Sequence, residues 1–286
     1  MSMLSNYFKV ALRNILRHKV HSAINIAGLT VGLACCLGIM LFIRFVLSCD
    51  DFQEKGDRIY RVISILTAKG QSPQHTPSVS GPVGPGLKND YPEIENYVRF
   101  IWQWNVPVRY EGKWLDLNSC ANTDSTVFKV FTWKMKSGNP ATALCEPKSI
   151  VLTEETARKI FGNEDPLGKI LYFPDGGDFK VTGVMEDIPA NSVIRFGCLR
   201  PLSKARFDWI EEHARIGLVT FVLLKEGVDL ENLQAKMKSF SRNFLEGSEN
   251  QVNYYLQPLK DILLRSGHIS GESPTGLLLT LVSAIG

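Results

Sequence analysis

The stretch with the most suggestive chemistry is Gly162-Asn-Glu-Asp-Pro-Leu-Gly168-Lys169-Ile170. Glycines followed by a lysine are the skeleton of a phosphate loop, in which backbone N–H groups cradle phosphates and the lysine reaches the terminal one. Four details oppose that chemistry. Five residues separate the glycines where the loop needs four. Ile170 stands where a Ser or Thr would hold magnesium. Glu164 and Asp165 put negative charge where phosphate would approach. The stretch also follows a predicted helix, whereas a phosphate loop follows a strand. It reads as a turn.

The other reactive groups are dispersed. Cys35 and Cys36 lie inside an apolar run, and Cys49, Cys120, Cys145 and Cys198 are widely spaced with no C-x-x-C among them. Those four leave disulfides open and give no zinc pattern. Leu33-Ala34-Cys35-Cys36 is similar to a lipoprotein processing site, but apolar residues continue past it. His18, His21, His75, His213 and His268 are scattered. There is no Gly-x-Ser-x-Gly elbow and no His-Glu-x-x-His. The carboxylate pairs Glu154/Glu155 and Glu211/Glu212 read as solvated faces. Trp102, Trp104, Trp114 and Trp133 would line a groove or, more simply, fill a core, as strand aromatics usually do. The expectation is a protein without catalysis, cofactor or metal.

The elements that carry these residues are organised around Ser22–Ile43, twenty-two residues without Asp, Glu, Lys or Arg. As a helix they rise about 33 Å, enough for a bilayer core of about 30 Å. The run exceeds the h-region of a signal peptide, and no cleavage site follows. Gly28-x-x-x-Gly32 is the small-residue spacing that lets another membrane helix approach, so Gly28 and Gly32 are helix-packing candidates. Before the run, residues 3–19 place Leu4, Tyr7, Phe8, Ala11, Leu12, Ile15 and Leu16 on one helical face. Asn6, Lys9, Arg13, Asn14 and Arg17 take the other, as in a helix lying in the headgroup layer against membrane lipid.

Of the chain's net charge of +3, +4 lies in residues 1–21, so the remainder carries −1. That leaves no broad basic face for nucleic acid. Four basic residues precede the run, and Arg44, Lys55 and Arg58 follow closely, a mild preference for an N-terminus inside. With 286 residues, 44% apolar and 21% charged, the composition suits one anchor and a soluble domain.

Residues 48–273 read as an α+β domain. Arg58–Ile65 is a strand, and 72–86, rich in Pro and Gly, is a loop or interrupted helix. Val98–Ile101, Val106–Tyr110 and Trp114–Asn118 are short strands. Ser149–Thr153 is a strand leading into a helix over Glu154–Phe161, capped by Thr153. Lys169–Phe173 and Phe179–Met185 pair across the Pro-Asp-Gly-Gly-Asp turn. Leu218–Leu224 and Tyr254–Leu256 are strands. Asp229 caps a helix with the stripe Leu230, Leu233, Met237, Phe240 and Phe244. Residues 274–286, with an uncharged run from Gly276, are expected to begin a second, truncated span.

Several stretches, in order, resemble the MacB/FtsX-type permease subunits of ABC transporters, particularly those of Bacteroidetes. They are Tyr7–Arg17, Ile24–Cys35, Asp57–Val62, Val151–Gly162 continuing to Asp165–Lys169, and Val181–Ser192. Val193 and Gly197 depart from the His and Asp often found after the Asn191-Ser192 pair. No single piece is specific; the ordered set is.

The resemblance implies a cytoplasmic interfacial helix over 1–20, a transmembrane helix over 21–47, and an extracytoplasmic MacB-like core domain over 48–273. That domain would be built of strand–helix–strand units with an inserted β-rich lobe. It implies a place in the bacterial inner membrane with the main domain in the periplasm, and a function in an exporter or mechanotransmission complex. The implied partners are an ABC ATPase subunit, a second permease in a homodimer or heterodimer, and a periplasmic adaptor. The competing expectation is a single-span anchored binding or sensing domain.

Overall fold

The computed structural model describes residues 3–67, 70, 72–202, 217–240 and 251–269. The chain divides into two compact units, Met1–Ser48 and Cys49–Gly286. The stretch expected to begin a second span, 274–286, lies outside the described residues, as does Phe244.

The first unit is two helices, α1 (Met3–Arg17) and α2 (Lys19–Leu47). The sequence pattern ran α1 on to residue 19; the structure breaks it at His18, whose φ of −112° and ψ of 52° leave the helical region. No proline forces that break. The 29 residues of α2 rise about 44 Å. Among the described residues it is the one helix long and apolar enough to cross a membrane. Residues 23–44 are exposed along it, an apolar surface that water does not favour and lipid does.

The second unit is organised on one sheet. Two strand–helix–strand units interleave at its first half. One is β1 (Ile59–Thr67), α3 (Val83–Asp90) and β4 (Ile94–Tyr110). The other is β11 (Leu218–Leu224), α6 (Leu230–Met237) and β12 (Gln251–Pro258). Their strands lie in the order β12-β1-β11-β4, every neighbour antiparallel. Each unit leaves a gap that the other's strand fills, the split βαβ arrangement. Short strands β2 (Gln74–Thr76) and β3 (Ser78–Val79) extend β1 and β11.

A β-rich lobe is inserted between β4 and β11. It holds β5 (Lys113–Thr123), α4 (Val127–Val130), β6 (Met135–Gly138), β7 (Ser149–Thr153) and α5 (Glu154–Phe161). It ends with β8 (Ile170–Phe173), β9 (Gly177–Met185) and β10 (Cys198–Pro201). The sheet continues through them as β4-β5-β10-β7-β9-β6. β7 and β9 run parallel, so the chain must cross over between them, and α5 lies on that crossover. The fold is α+β, as the sequence pattern indicates.

Two expectations on strands are corrected. Residues 98–101 and 106–110 belong to one strand, β4, whose pairing with β5 continues at Trp104 and Val106 on either side of Asn105, which has φ of 50°. The alternation fails there because Trp104 and Asn105 are both exposed. Residues 72–86 hold β2, β3 and the start of α3. Pro85 sits in the first turn of α3, where its missing N–H costs no helical bond. At the tip of the β4–β5 hairpin, Glu111 and Gly112 have φ of 47° and 80°, the left-handed pair a two-residue turn needs.

Both faces of the sheet are covered. On one, α3 and α6 bury Leu87, Leu233 and Met237 against Val62, Val222 and Leu256. On the other, Phe100 meets Phe131 and Phe221 edge-on at 5.8 and 5.9 Å. In the lobe, α5 buries Ile160 and Phe161 against Ile150, Leu152 and Leu171. Each fully buried side chain of this size stabilises by about 1.5–3 kcal/mol.

Candidate functional site

The segment that follows α2 is fixed into the second unit by a buried carboxylate. Asp50 has φ of 57°, a left-handed conformation Asp tolerates better than most residues. Its side chain is 1% exposed. It accepts hydrogen bonds from Ser192 Oγ at 2.5 Å and from the Val193 N–H at 3.1 Å. Its own N–H donates to the Asn191 carbonyl at 3.0 Å. Burial pushes the Asp50 carboxyl above the usual carboxylate range, against the pull of the Ser192 and Val193 hydrogen bonds. Burial and the neighbouring Asp50 likewise push the Cys49 thiol up, so it stays protonated. Nearby, Gln53 Oε1 accepts from the Thr132 N–H at 2.6 Å, and Lys55 Nζ donates to the Lys129 carbonyl at 2.7 Å.

The outgoing segment is held at the same place. A 3-10 turn, Leu259–Asp261, and the short helix α7 (Ile262–Arg265) follow β12. Lys260 Nζ pairs with Asp51 at 3.1 Å and Asp57 at 3.0 Å, both on the incoming segment. Hydrogen bonds to Asp57 and Asp51 raise the Lys260 ammonium above its ordinary value. Arg61, buried in β1, donates to Gln257 Oε1 at 2.7 Å and to Ser266 Oγ at 3.2 Å. Incoming and outgoing segments are thus tied to each other and to the central strand β1.

The residues singled out from sequence are distributed elsewhere. Gly28 and Gly32 lie one turn apart on α2, and a Cβ at either would meet nothing within 4 Å. Lys169 is occupied: it pairs with Glu164 and donates to Tyr110 Oη at 3.0 Å. Hydrogen bonds to Glu164 and Tyr110 raise its ammonium above the ordinary value. The stretch is a turn between α5 and β8. Trp133 is core and Trp102 packs half-buried against that core; they stack on Phe131 at 4.8 Å and Phe100 at 5.2 Å. Trp114 is exposed and packs edge-on to Tyr172 at 6.1 Å. Trp104 is 67% exposed and borders a cleft of about 390 Å³ with Thr156, Lys159, Asp187 and Arg195. Gly197 also lines it; a Cβ there would come within 2.7 Å of Thr156 Oγ1, so a larger residue at this position needs Thr156 to shift.

Sequence spacing left the cysteines open. The structure pairs Cys120 of β5 with Cys198 of β10 as a disulfide, directly opposite each other in register. Cys145 is free and exposed, and Cys49 is free and buried. Among the described residues, no group of three or more His, Cys, Asp or Glu is placed to hold a metal.

The family model for the MacB-like periplasmic core domain matches residues 22–240. The chain belongs to that family. Its fold agrees with a domain assigned to a permease protein of Porphyromonas gingivalis: TM-score 0.61, 22% identity, covering 72% of this chain and 91% of that one. The periplasmic region of MacB from Actinobacillus actinomycetemcomitans is more distant, with TM-score 0.49 and 17% identity over 72% of this chain and 91% of that one. So is the extracellular domain of the ABC-type transporter YknZ from Gram-positive bacteria, with TM-score 0.48 and 15% identity over 70% and 99%. No curated protein matches the chain. Asp50, Arg61 and Ser192 lie within the matched stretch, and Lys260 follows it.

Proposed function

We propose that this chain is a permease-like part of an ABC-type exporter or mechanotransmission complex, without catalysis of its own. A partner ATPase drives movement of the membrane helices, and the outer domain carries it outward. The N-terminal helix lies on the cytoplasmic face with its basic residues toward anionic lipid, and Cys49 onward lies outside. A second permease, as homodimer or heterodimer, packs through Gly28 and Gly32 of α2, and an adaptor is met on the outer side.

The observation that carries this reading is the tie between the incoming and outgoing segments. Lys260 with Asp51 and Asp57, and Arg61 with Gln257 and Ser266, join both segments to β1. Movement delivered at residue 49 therefore reaches the sheet as a whole and is not absorbed by a loose linker.

The test is purification of the parent protein from its native membrane, with reconstitution of the ATPase that accompanies it. The wild-type protein is expected to change ATPase turnover. Gly28→Leu plus Gly32→Leu is expected to abolish that change while the outer domain stays folded. If the double variant couples normally, those glycines are not the contact. If no ATPase accompanies the protein or none responds to it, the permease reading fails. The cleft beside exposed Trp104 favours a second reading, an anchored binding domain, which that last outcome would leave standing.

A further inference from the structure

The fold brings His75 and His268, 193 residues apart in sequence, to one point. His75 is in β2 and Tyr255 in β12, on either side of β1. His268 follows α7, and the next residue, Ile269, forms a parallel bridge with His75. Tyr255 Oη is 3.3 Å from His75 Nδ1 and 2.9 Å from His268 Nε2. The two imidazoles stand edge to face with centroids 5.1 Å apart. Two imidazoles on one tetrahedral zinc, with Zn–N of about 2.0–2.1 Å, have centroids about 5 Å apart. The separation of the two rings matches that of two imidazoles on one zinc.

We propose that His75 Nδ1, His268 Nε2 and Tyr255 Oη form a binding site for a divalent zinc ion. The two imidazole nitrogens are ordinary zinc donors; the phenolate oxygen would be the third ligand and water the fourth of a tetrahedron. The phenol has one proton, so it donates at most one of these two contacts and at least one imidazole N–H donates to Tyr255 Oη. Zinc takes the place of those protons: an imidazole N–H at the site moves its proton to the other ring nitrogen by exchange with water, so the ring stays neutral. The imidazoles coordinate in their neutral form, and coordination of the phenol as phenolate releases its proton to solvent.

The frame around the site is already rigid. Ser266, two residues before His268, accepts from Arg61 at 3.2 Å and from Gln257 Nε2 at 3.1 Å, and donates to the Ile262 carbonyl at 2.6 Å. Its carbonyl accepts from the Ile269 N–H at 2.9 Å. A bound ion would add a side-chain tie between the outgoing segment and β2 to the backbone bridge of Ile269 with His75. The site stands on geometry alone and does not depend on the permease reading.

The test is calorimetric titration of the untagged chain in detergent with zinc chloride at neutral pH. Binding of one ion per chain is expected at the three donors. His75→Gln and His268→Gln should each weaken it at least tenfold. Tyr255→Phe, which keeps the ring and deletes the oxygen, should weaken it at least threefold. Zinc should raise the melting temperature of the wild type and leave that of the His75→Gln/His268→Gln double variant unchanged, and the two proteins should melt alike without zinc. Failure of the wild type to bind, or losses smaller than these in either histidine variant or in Tyr255→Phe, would overturn the site.

Discussion

A carboxylate that is 1% exposed and held by a serine hydroxyl and one backbone N–H carries a definite pH signature. Asp50 has a raised value in the folded chain, so the folded state binds its proton more tightly than the unfolded state does. Its contribution to stability is fully present below the ordinary carboxylate value. It is lost as pH rises from that value through the raised one. Asp50→Asn keeps an acceptor oxygen and tolerates the left-handed backbone, and it has no charge to bury. Thermal unfolding across acid to neutral pH should therefore be flatter for Asp50→Asn than for wild type in that window. Asp50→Ala leaves the Val193 N–H without its acceptor, while Ser192 Oγ keeps the Ile194 carbonyl at 3.1 Å, and should cost about 1–3 kcal/mol at neutral pH. Equal slopes for wild type and Asp50→Asn would show that the carboxyl is not held as described. Neither Asp50 nor the His75–Tyr255–His268 cluster was legible in the sequence. Asp50 sits among Asp51, Glu54 and Asp57, and nothing local distinguishes the one that is buried from those that are solvated. The histidines meet only because β2 and the segment after α7 flank the same part of the sheet. The turn at Gly168-Lys169 was legible, since its spacing and its acids are local facts.

At the scale of elements, local chemistry announced what local chemistry controls. Thr153 accepts from the Thr156 N–H at 3.3 Å and begins α5, and Asp229 accepts from the Glu231 N–H at 3.0 Å and begins α6. The β8–β9 hairpin follows its turn residues. What sequence missed are elements defined by their neighbours. β10 is four residues, Cys198–Pro201, and carries an arginine that is 2% exposed. No pattern marks Arg200 as interior; its partners come from three other places. Arg200 makes two parallel bonds to Asp175, each 3.0 Å, and also donates to Gln103 of β4. Its guanidinium lies 4.6 Å over the Phe173 ring and 5.0 Å over the Phe179 ring. The cluster clamps the β8–β9 turn onto β4 and β10, and the two members of the pair are not equivalent. Asp175 is 32% exposed and can be rehydrated if Arg200 is removed, whereas Arg200 cannot if Asp175 is removed. Asp175→Ala should cost about 3–5 kcal/mol, as expected for a buried charge left without its partner. Arg200→Met, which keeps apolar packing on both rings, should cost clearly less. Denaturant midpoints of the two variants check the order, and the reverse order would mean that the arginine is solvated from a direction the fold does not show.

For the molecule as a whole, the open matter is which side of the membrane the second unit occupies. Charge near α2 prefers the N-terminus inside only mildly, because Arg44, Lys55 and Arg58 follow it. The disulfide between Cys120 and Cys198 gives an independent argument, since such bonds persist in oxidising compartments and are rare in the cytosol. The chain carries its own reporter for the question. Cys145 is free and exposed in the second unit, Cys49 is free but buried and held protonated, and Cys35 and Cys36 lie within the apolar helix. A charged, membrane-impermeant maleimide added to intact spheroplasts should therefore label the protein at Cys145 alone, and Cys145→Ser should abolish the label. Labelling that needs lysis would place the unit inside and reverse the proposed orientation. It would also leave the disulfide in a reducing compartment, where it should be open, so quantifying free thiols in the same preparation checks the first result against a second. Because residues 49–269 form one unit, an external Cys145 places the zinc ligands His75, Tyr255 and His268 outside as well. There they would meet metal from the envelope, and not from the buffered pool of the cytosol.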